Sequence, residues 1–370
     1  MKTIAAVKND KKIYYSPMYL NGVFSLDLES ENSVKCLNIF SKEEGCQHLY
    51  RRAYSYKNDI WFVPQNAKNV AKYNIVNNEI ETFDYPYHKQ FNNGMFKYSD
   101  SFVFNEKYLC LVPGNTDAIV IIDMETSRER IIYDVVDPEN ESYVSGAYAN
   151  GSIWLCPFNS VDLRIVDLER NYIHNKRWKH NKESFDGVCS VNDVLYFAPF
   201  LSNVFYSIDT KDMVETEIDL SRIKNQNEKF QGIFKHENQL WCMPFTAKYF
   251  LIFDLQNGEI LKEVTKDFSI FENWEWETNN YMPVSLEEDL ILASCFPNGF
   301  HLYNKRNNVF DFIEISNPNI KNDSSYENSL KQSILSNILE QNVVKEVDDM
   351  LECFCRNCDE LQNIIACGGK

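Results

Sequence analysis

Residues 153–167 read IWLCPFNSVDLRIVD, and this grammar recurs seven times, starting at Ile13, Ile60, Leu109, Ile153, Leu195, Leu240 and Leu290. Four residues after the start stands Pro17, Pro64, Pro113, Pro157, Pro199 or Pro244, with Ser294 in the last window. Fourteen residues after it stands Asp27, Asn74, Asp123, Asp167, Asp209, Asp254 or Asn304. No window carries a gap, and the starts lie 42 to 50 residues apart. Length changes therefore fall outside the window, where loops belong.

Each window reads as two strands. The first is a short apolar run, as in Trp154-Leu155-Cys156, which suits a strand covered on both faces. It stops at proline, which donates nothing to a sheet ladder. The second strand runs into an apolar–Asx pair that makes the next turn. A strand ending in a turn precedes each window (residues 145–151, SGAYANG), and another follows the Asx. Four antiparallel strands per repeat of this length mark a propeller blade. A β-helix needs shorter rungs, and a β-sandwich would not keep one spacing seven times. The expected fold is all-β, a seven-bladed β-propeller over residues 1–317.

Beyond Pro318 the pattern changes. Ser324 and Glu327 form a capping box. Tyr326, Leu330, Ile334 and Ile338 then follow at helical spacing. Residues 318–370 are expected to form an α-helical tail that contacts a partner helix or the propeller itself.

The run 60–86, IWFVPQNAKNVAKYNIVNNEIETFDYP, resembles a blade of the streptogramin lyase group of bacterial seven-bladed propellers. The resemblance covers residues 1–318 and lies in the blade pattern. In that group some blades end the tryptophan strand in a metal-holding glutamate. The matching positions here are Pro17, Pro64, Pro113, Pro157, Pro199, Pro244 and Ser294. The group also places histidines near the central channel. Here His48, His88, His174, His180, His236 and His301 form no paired motif. The resemblance implies shared architecture without the lyases' catalytic residues.

The formal net charge of −17 argues against nucleic acid and anionic lipid as partners. No apolar run reaches the length of a membrane-spanning helix. Residues 1–10, MKTIAAVKND, show no signal-peptide pattern. Eleven cysteines, an odd number, lie partly within strand patterns. Reduced thiols and a cytoplasmic location are expected.

No P-loop, HExxH, GxSxG or dinucleotide fingerprint is present. Propeller sites gather residues from separate blades, so equivalent positions matter more. Counting back nine residues from each start, eight in the fourth repeat, gives Arg51, Asp100, Ser145, Asp186, Gln231 and Tyr281, with Ile4 in the first. These six polar residues are candidates for a ligand-binding ring at the central channel. Trp178, Trp274 and Trp276 fall off the repeated core position. They are expected either to stack on a ligand or to cap the propeller edge. Cys353, Cys355, Cys358 and Cys367 carry four thiols, the number zinc prefers. Their spacing and place on the apolar helix stripe favour buried cysteines, so no metal and no cofactor is expected. The functional expectation is a non-enzymatic binding module holding a protein or glycan. The alternative is a lyase or hydrolase acting on a small molecule at the channel.

Overall fold

The computed structural model describes residues 3–18, 20–29, 34–43, 48–91, 96–180, 182–263, 281–286, 290–294, 299–304 and 309–314. The regular elements among them are all β-strands. Six four-stranded antiparallel sheets follow in simple chain order. The first holds β1 (Thr3–Asn9), β2 (Lys12–Pro17), β3 (Val23–Asp27) and β4 (Val34–Asn38), and the second β5 (Tyr50–Tyr56), β6 (Asp59–Pro64), β7 (Val70–Asn74) and β8 (Glu79–Phe83). The third comprises β9 (Tyr98–Phe104), β10 (Tyr108–Pro113), β11 (Ile119–Asp123) and β12 (Arg128–Ile132). The fourth comprises β13 (Tyr143–Ala149), β14 (Ser152–Pro157), β15 (Asp162–Asp167) and β16 (Tyr172–Arg177). In the fifth are β17 (Phe185–Val191), β18 (Val194–Pro199), β19 (Val204–Asp209) and β20 (Glu215–Asp219). In the sixth are β21 (Phe230–His236), β22 (Gln239–Pro244), β23 (Phe250–Asp254) and β24 (Ile260–Glu263). Strands β25 (Tyr281–Leu286), β26 (Leu290–Ser294), β27 (Gly299–Asn304) and β28 (Val309–Glu314) continue the pattern. The expected helical tail lies outside the described residues. The first two sheets belong to one compact unit, the third to sixth to another.

The repeated window is the core. Its seven start residues, Ile13 to Leu290, are each 0% exposed. Successive side chains on a strand point to opposite faces, so the start residue and its successor face different neighbours. Trp154 and Cys156 of β14 pack with Leu195 and Phe197 of β18. Trp241 and Met243 of β22 pack with Leu290 and Leu292 of β26. Tyr14 and Val23 meet Ile60 and Phe62 in the first unit. Second strands are thus covered on both faces, which accounts for their unbroken apolar runs.

The recurrent proline marks a change of register. Strands β2, β6, β10, β14, β18 and β22 each end on it. Each proline pairs with the first residue of the preceding strand, and a bulge follows: Tyr143 faces Pro157, but Ser145 already faces Cys156. Proline brings no N–H, so an extra residue fits where the ladder lacks a donor.

The recurrent Asx closes the hairpin into the fourth strand. Asp123 Oδ1 accepts the N–H groups of Glu125 (2.9 Å) and Thr126 (3.2 Å). Asn74, Asp167, Asp209 and Asp254 repeat the pair of bonds. Four residues past each Asx the chain enters the left-handed region, at Asn78, Ser127, Asn171, Met213 and Gly258.

An ion cluster pins the outer strands of the fourth and fifth sheets. Glu215 on β20 bonds Lys176 of β16 at 2.6 Å and Lys179 at 2.9 Å. Burial opposes its charge, but hydrogen bonds from Lys176, Lys179 and Tyr206 prevail and hold the carboxyl at about 2, against an ordinary value of 4.5. A depressed carboxyl contributes stability above its unfolded pKa and loses it as pH falls through the folded one. Glu215→Gln is expected to cost about 1–2 kcal/mol at pH 7, the full linkage value being reduced by solvent screening of the partly exposed pairs. It should also flatten the stability profile between about pH 5 and 2, as read by urea denaturation at each pH.

Candidate functional site

First strands β9, β13, β17 and β21 stand side by side in chain order. The candidate polar residues lie near their starts, but in two registers. The loop between β9 and β10 has three residues, Asn105 to Lys107, where Tyr56 pairs directly across a two-residue turn with Asp59, and Ala149 with Ser152. Counting back nine residues in the third sheet therefore lands one position deeper. Arg51, Asp186 and Gln231 are the second residues of β5, β17 and β21. Asp100 and Ser145 are the third residues of β9 and β13, the level held by Arg52, Gly187 and Gly232 in their strands. Tyr281 is the first residue of β25. The candidate residues thus stand at two successive positions along their own strands. Arg51 belongs to the first unit, and Asp100, Ser145, Asp186 and Gln231 to the second.

Residues at one level on neighbouring strands meet. Ser145 Oγ donates to Asp100 Oδ2 at 2.7 Å and accepts Val188 N–H at 3.4 Å. Gly187 and Gly232 approach backbone to backbone: a Cβ on Gly187 would stand 2.6 Å from Gly232 Cα. Gly187 has φ +120°, a conformation reserved for glycine. Asp186 and Gln231 lie one residue outside this pair. The Gln231 Oε1 is buried and has no hydrogen-bond partner among the described residues.

Two buried thiols, Cys156 and Cys110, lie within electrostatic reach of Asp100, and Cys189 of β17 is partly buried. Burial pushes the Cys156 thiol far up; a Gly187 N–H opposes this, while Asp186 and Asp100 add to it. Burial, then Asp100, does the same to Cys110. Burial raises Cys189 to about 11. These thiols stay protonated near neutrality, and a protonated thiol is a poor nucleophile. The row itself carries two half-buried carboxylates, Asp100 and Asp186, and the amide oxygen of Gln231. Such a set suits a donor-rich cation.

Trp178 does not offer a stacking surface. It is 5% exposed and packed among Phe185, Phe197 and Tyr206, at ring distances of 5.5, 5.1 and 5.1 Å. The end of β16 turns it onto the fifth sheet, where burial of its large apolar ring prevails. Trp274, Trp276, Cys353, Cys355, Cys358 and Cys367 lie outside the described residues.

At the other end of the fourth and fifth sheets a polar cavity of about 410 Å³ is lined by Asn150, Asp167, Arg170, His174 and Thr210. Asp167 is engaged in its own turn, accepting from Glu169 and Arg170 N–H. Sequence reading missed the cavity because its walls come from three separate hairpins. Among the described residues one group has the geometry to hold a metal ion: His88, Asp117 and Asp134.

No family model and no curated protein sequence matches the chain. Solved structures do. A catalytically inactive virginiamycin B lyase from Staphylococcus aureus, determined with quinupristin, matches with a TM-score of 0.59 at 14% identity, covering 80% of this chain and 92% of that one. A streptogramin B lyase gives 0.59 at 15% identity with the same coverage. PorZ, a bacterial surface component of the type-IX secretion system of Porphyromonas gingivalis, gives 0.58 at 9%, covering 85% of this chain and 38% of that one. The chain has a β-propeller repeat fold and resembles the lyases in blade pattern. Likeness at such identity extends to fold alone.

Proposed function

We propose that the chain is a non-enzymatic binding module. Its partner is a protein that presents a lysine or arginine side chain to the starts of the first strands. Seven blades over residues 1–317, a helical tail over 318–370 and a cytoplasmic location complete the proposal. The observation that carries it is the pair of half-buried carboxylates, Asp100 and Asp186, near the starts of β9 and β17, with Gln231 Oε1 buried and without a hydrogen-bond partner among the described residues. The hydroxyl of Ser145 is engaged on both sides, and the Cys110, Cys156 and Cys189 thiols are raised. Both features favour binding over nucleophilic catalysis. The chain's net charge of −17 would steer a basic segment towards it.

The test is fluorescence polarisation with lysine- and arginine-containing peptides, beside a glycan array. Basic peptides should bind, more weakly at higher salt. Asp100→Asn with Asp186→Asn should weaken them by about tenfold or more, since charge-assisted bonds contribute about 1.5–3 kcal/mol each. Glycan binding alone, or peptide binding unchanged in the double variant, would overturn the proposal.

A further inference from the structure

Asp117, in the turn between β10 and β11, is 0% exposed. Its Oδ1 accepts the N–H groups of His88 (3.0 Å) and Lys89 (3.1 Å). Its carbonyl oxygen accepts Val135 N–H at 2.9 Å and Val136 N–H at 3.4 Å. One residue thus ties the chain entering the third sheet to the chain leaving it. With Oδ1 held by two donors, the direction of Oδ2 is set. Oδ2 is buried and has no hydrogen-bond partner among the described residues. It stands 3.9 Å from His88 Nδ1, too far for a hydrogen bond. His88 Nδ1 is in turn 4.0 Å from Asp134 Oδ2.

We propose that His88, Asp117 and Asp134 bind a divalent first-row transition metal of the zinc type. All three ligand atoms lie within 4.8 Å of one another. Zinc bonds of about 2.0–2.2 Å place two ligands of one ion about 3–4 Å apart, so a small inward movement suffices. The buried, orphaned Oδ2 supplies the second sign of a ligand, since a buried carboxylate oxygen without a partner is costly. The imidazole selects zinc, nickel or cobalt over calcium and magnesium, which prefer all-oxygen sites. His88 lies flat on Tyr133, with ring centroids 3.9 Å apart and planes 7° apart, which holds the plane of the imidazole. Two neighbours compete with the ion: a proton on His88, and Lys89 Nζ, 4.0 Å from Asp134 Oδ1. The Lys89 pair is exposed on both sides and therefore weak. Three protein ligands leave a coordination position open to water or a ligand.

The test is a titration of the full-length, chelator-stripped protein with zinc and with cobalt. Calorimetry and the visible cobalt spectrum are the readouts. His88→Ala and Asp134→Asn replace exposed side chains and should leave the fold intact, as checked by circular dichroism. One metal equivalent should weaken by at least about tenfold in each, the cost seen even for outer-shell partners. Asp117→Asn, whose amide oxygen still accepts the two N–H groups, should behave alike. Absence of binding, or binding that all three variants retain, would overturn the proposal. So would a cobalt spectrum showing only thiolate charge transfer, which would assign the metal to cysteines instead.

Discussion

Replacing Trp241 with alanine is expected to cost about 3–5 kcal/mol of folding stability, the usual result of emptying a large aromatic site. Trp241 is 1% exposed on β22, paired with Phe234 of β21 and Ile252 of β23. It packs with Phe250 at 5.6 Å and shares its cluster with Leu290 and Leu292 of β26. The hole would open between the sixth sheet and the strands that follow it. The indole Nε1 donates to Gln239 Oε1, a near neighbour at 3.2 Å. Nearly all of the loss would then come from apolar burial. Trp241→Phe should recover more than half of it, since the ring position survives. Guanidinium denaturation measures both variants. A loss below about 1 kcal/mol for the alanine variant would mean that the sheets close over the gap.

Gly187→Ala is expected to cost about 2–5 kcal/mol, from two sources that can be separated. The new Cβ would meet the Gly232 backbone at 2.6 Å from Cα and 2.9 Å from N, so β17 and β21 would have to part. The residue also holds φ +120°, which alanine adopts only under strain. Gly258→Ala is the control. It has φ +74° and open space around its would-be Cβ, so it should cost only the conformational part, about 1 kcal/mol. Equal losses in the two variants would show that β17 and β21 move apart freely. Because Gly187 lies between Ser145 and Gly232 in the row, its substitution should also weaken cationic peptide binding.

The repeat was legible because its signals are local. An apolar run, a proline and an Asx at fixed spacing each have their own mechanism: two-sided burial, a bulge, and a capped turn. Each recurs in the structure at the same residues. The polar positions were less legible. The extra residue among Asn105 to Lys107 shifts the third sheet by one, and counting back from the window cannot reveal a loop insertion inside the interval counted. Trp178 resembled a loop aromatic because it follows the last strand of its sheet. Its surroundings come from Phe197 and Tyr206, about twenty to thirty residues on.

Local chemistry in the sequence thus determined the strands, their turns and the burial of the window, because those depend on neighbours a few residues away. Only the tertiary structure decided which polar groups meet. Ser145 reaches Asp100 because two first strands lie side by side at the same level. His88 and Asp134 come together because the bonds of Asp117 draw two distant segments onto one turn. Neither meeting has a spacing in the chain, since register and packing between strands set both.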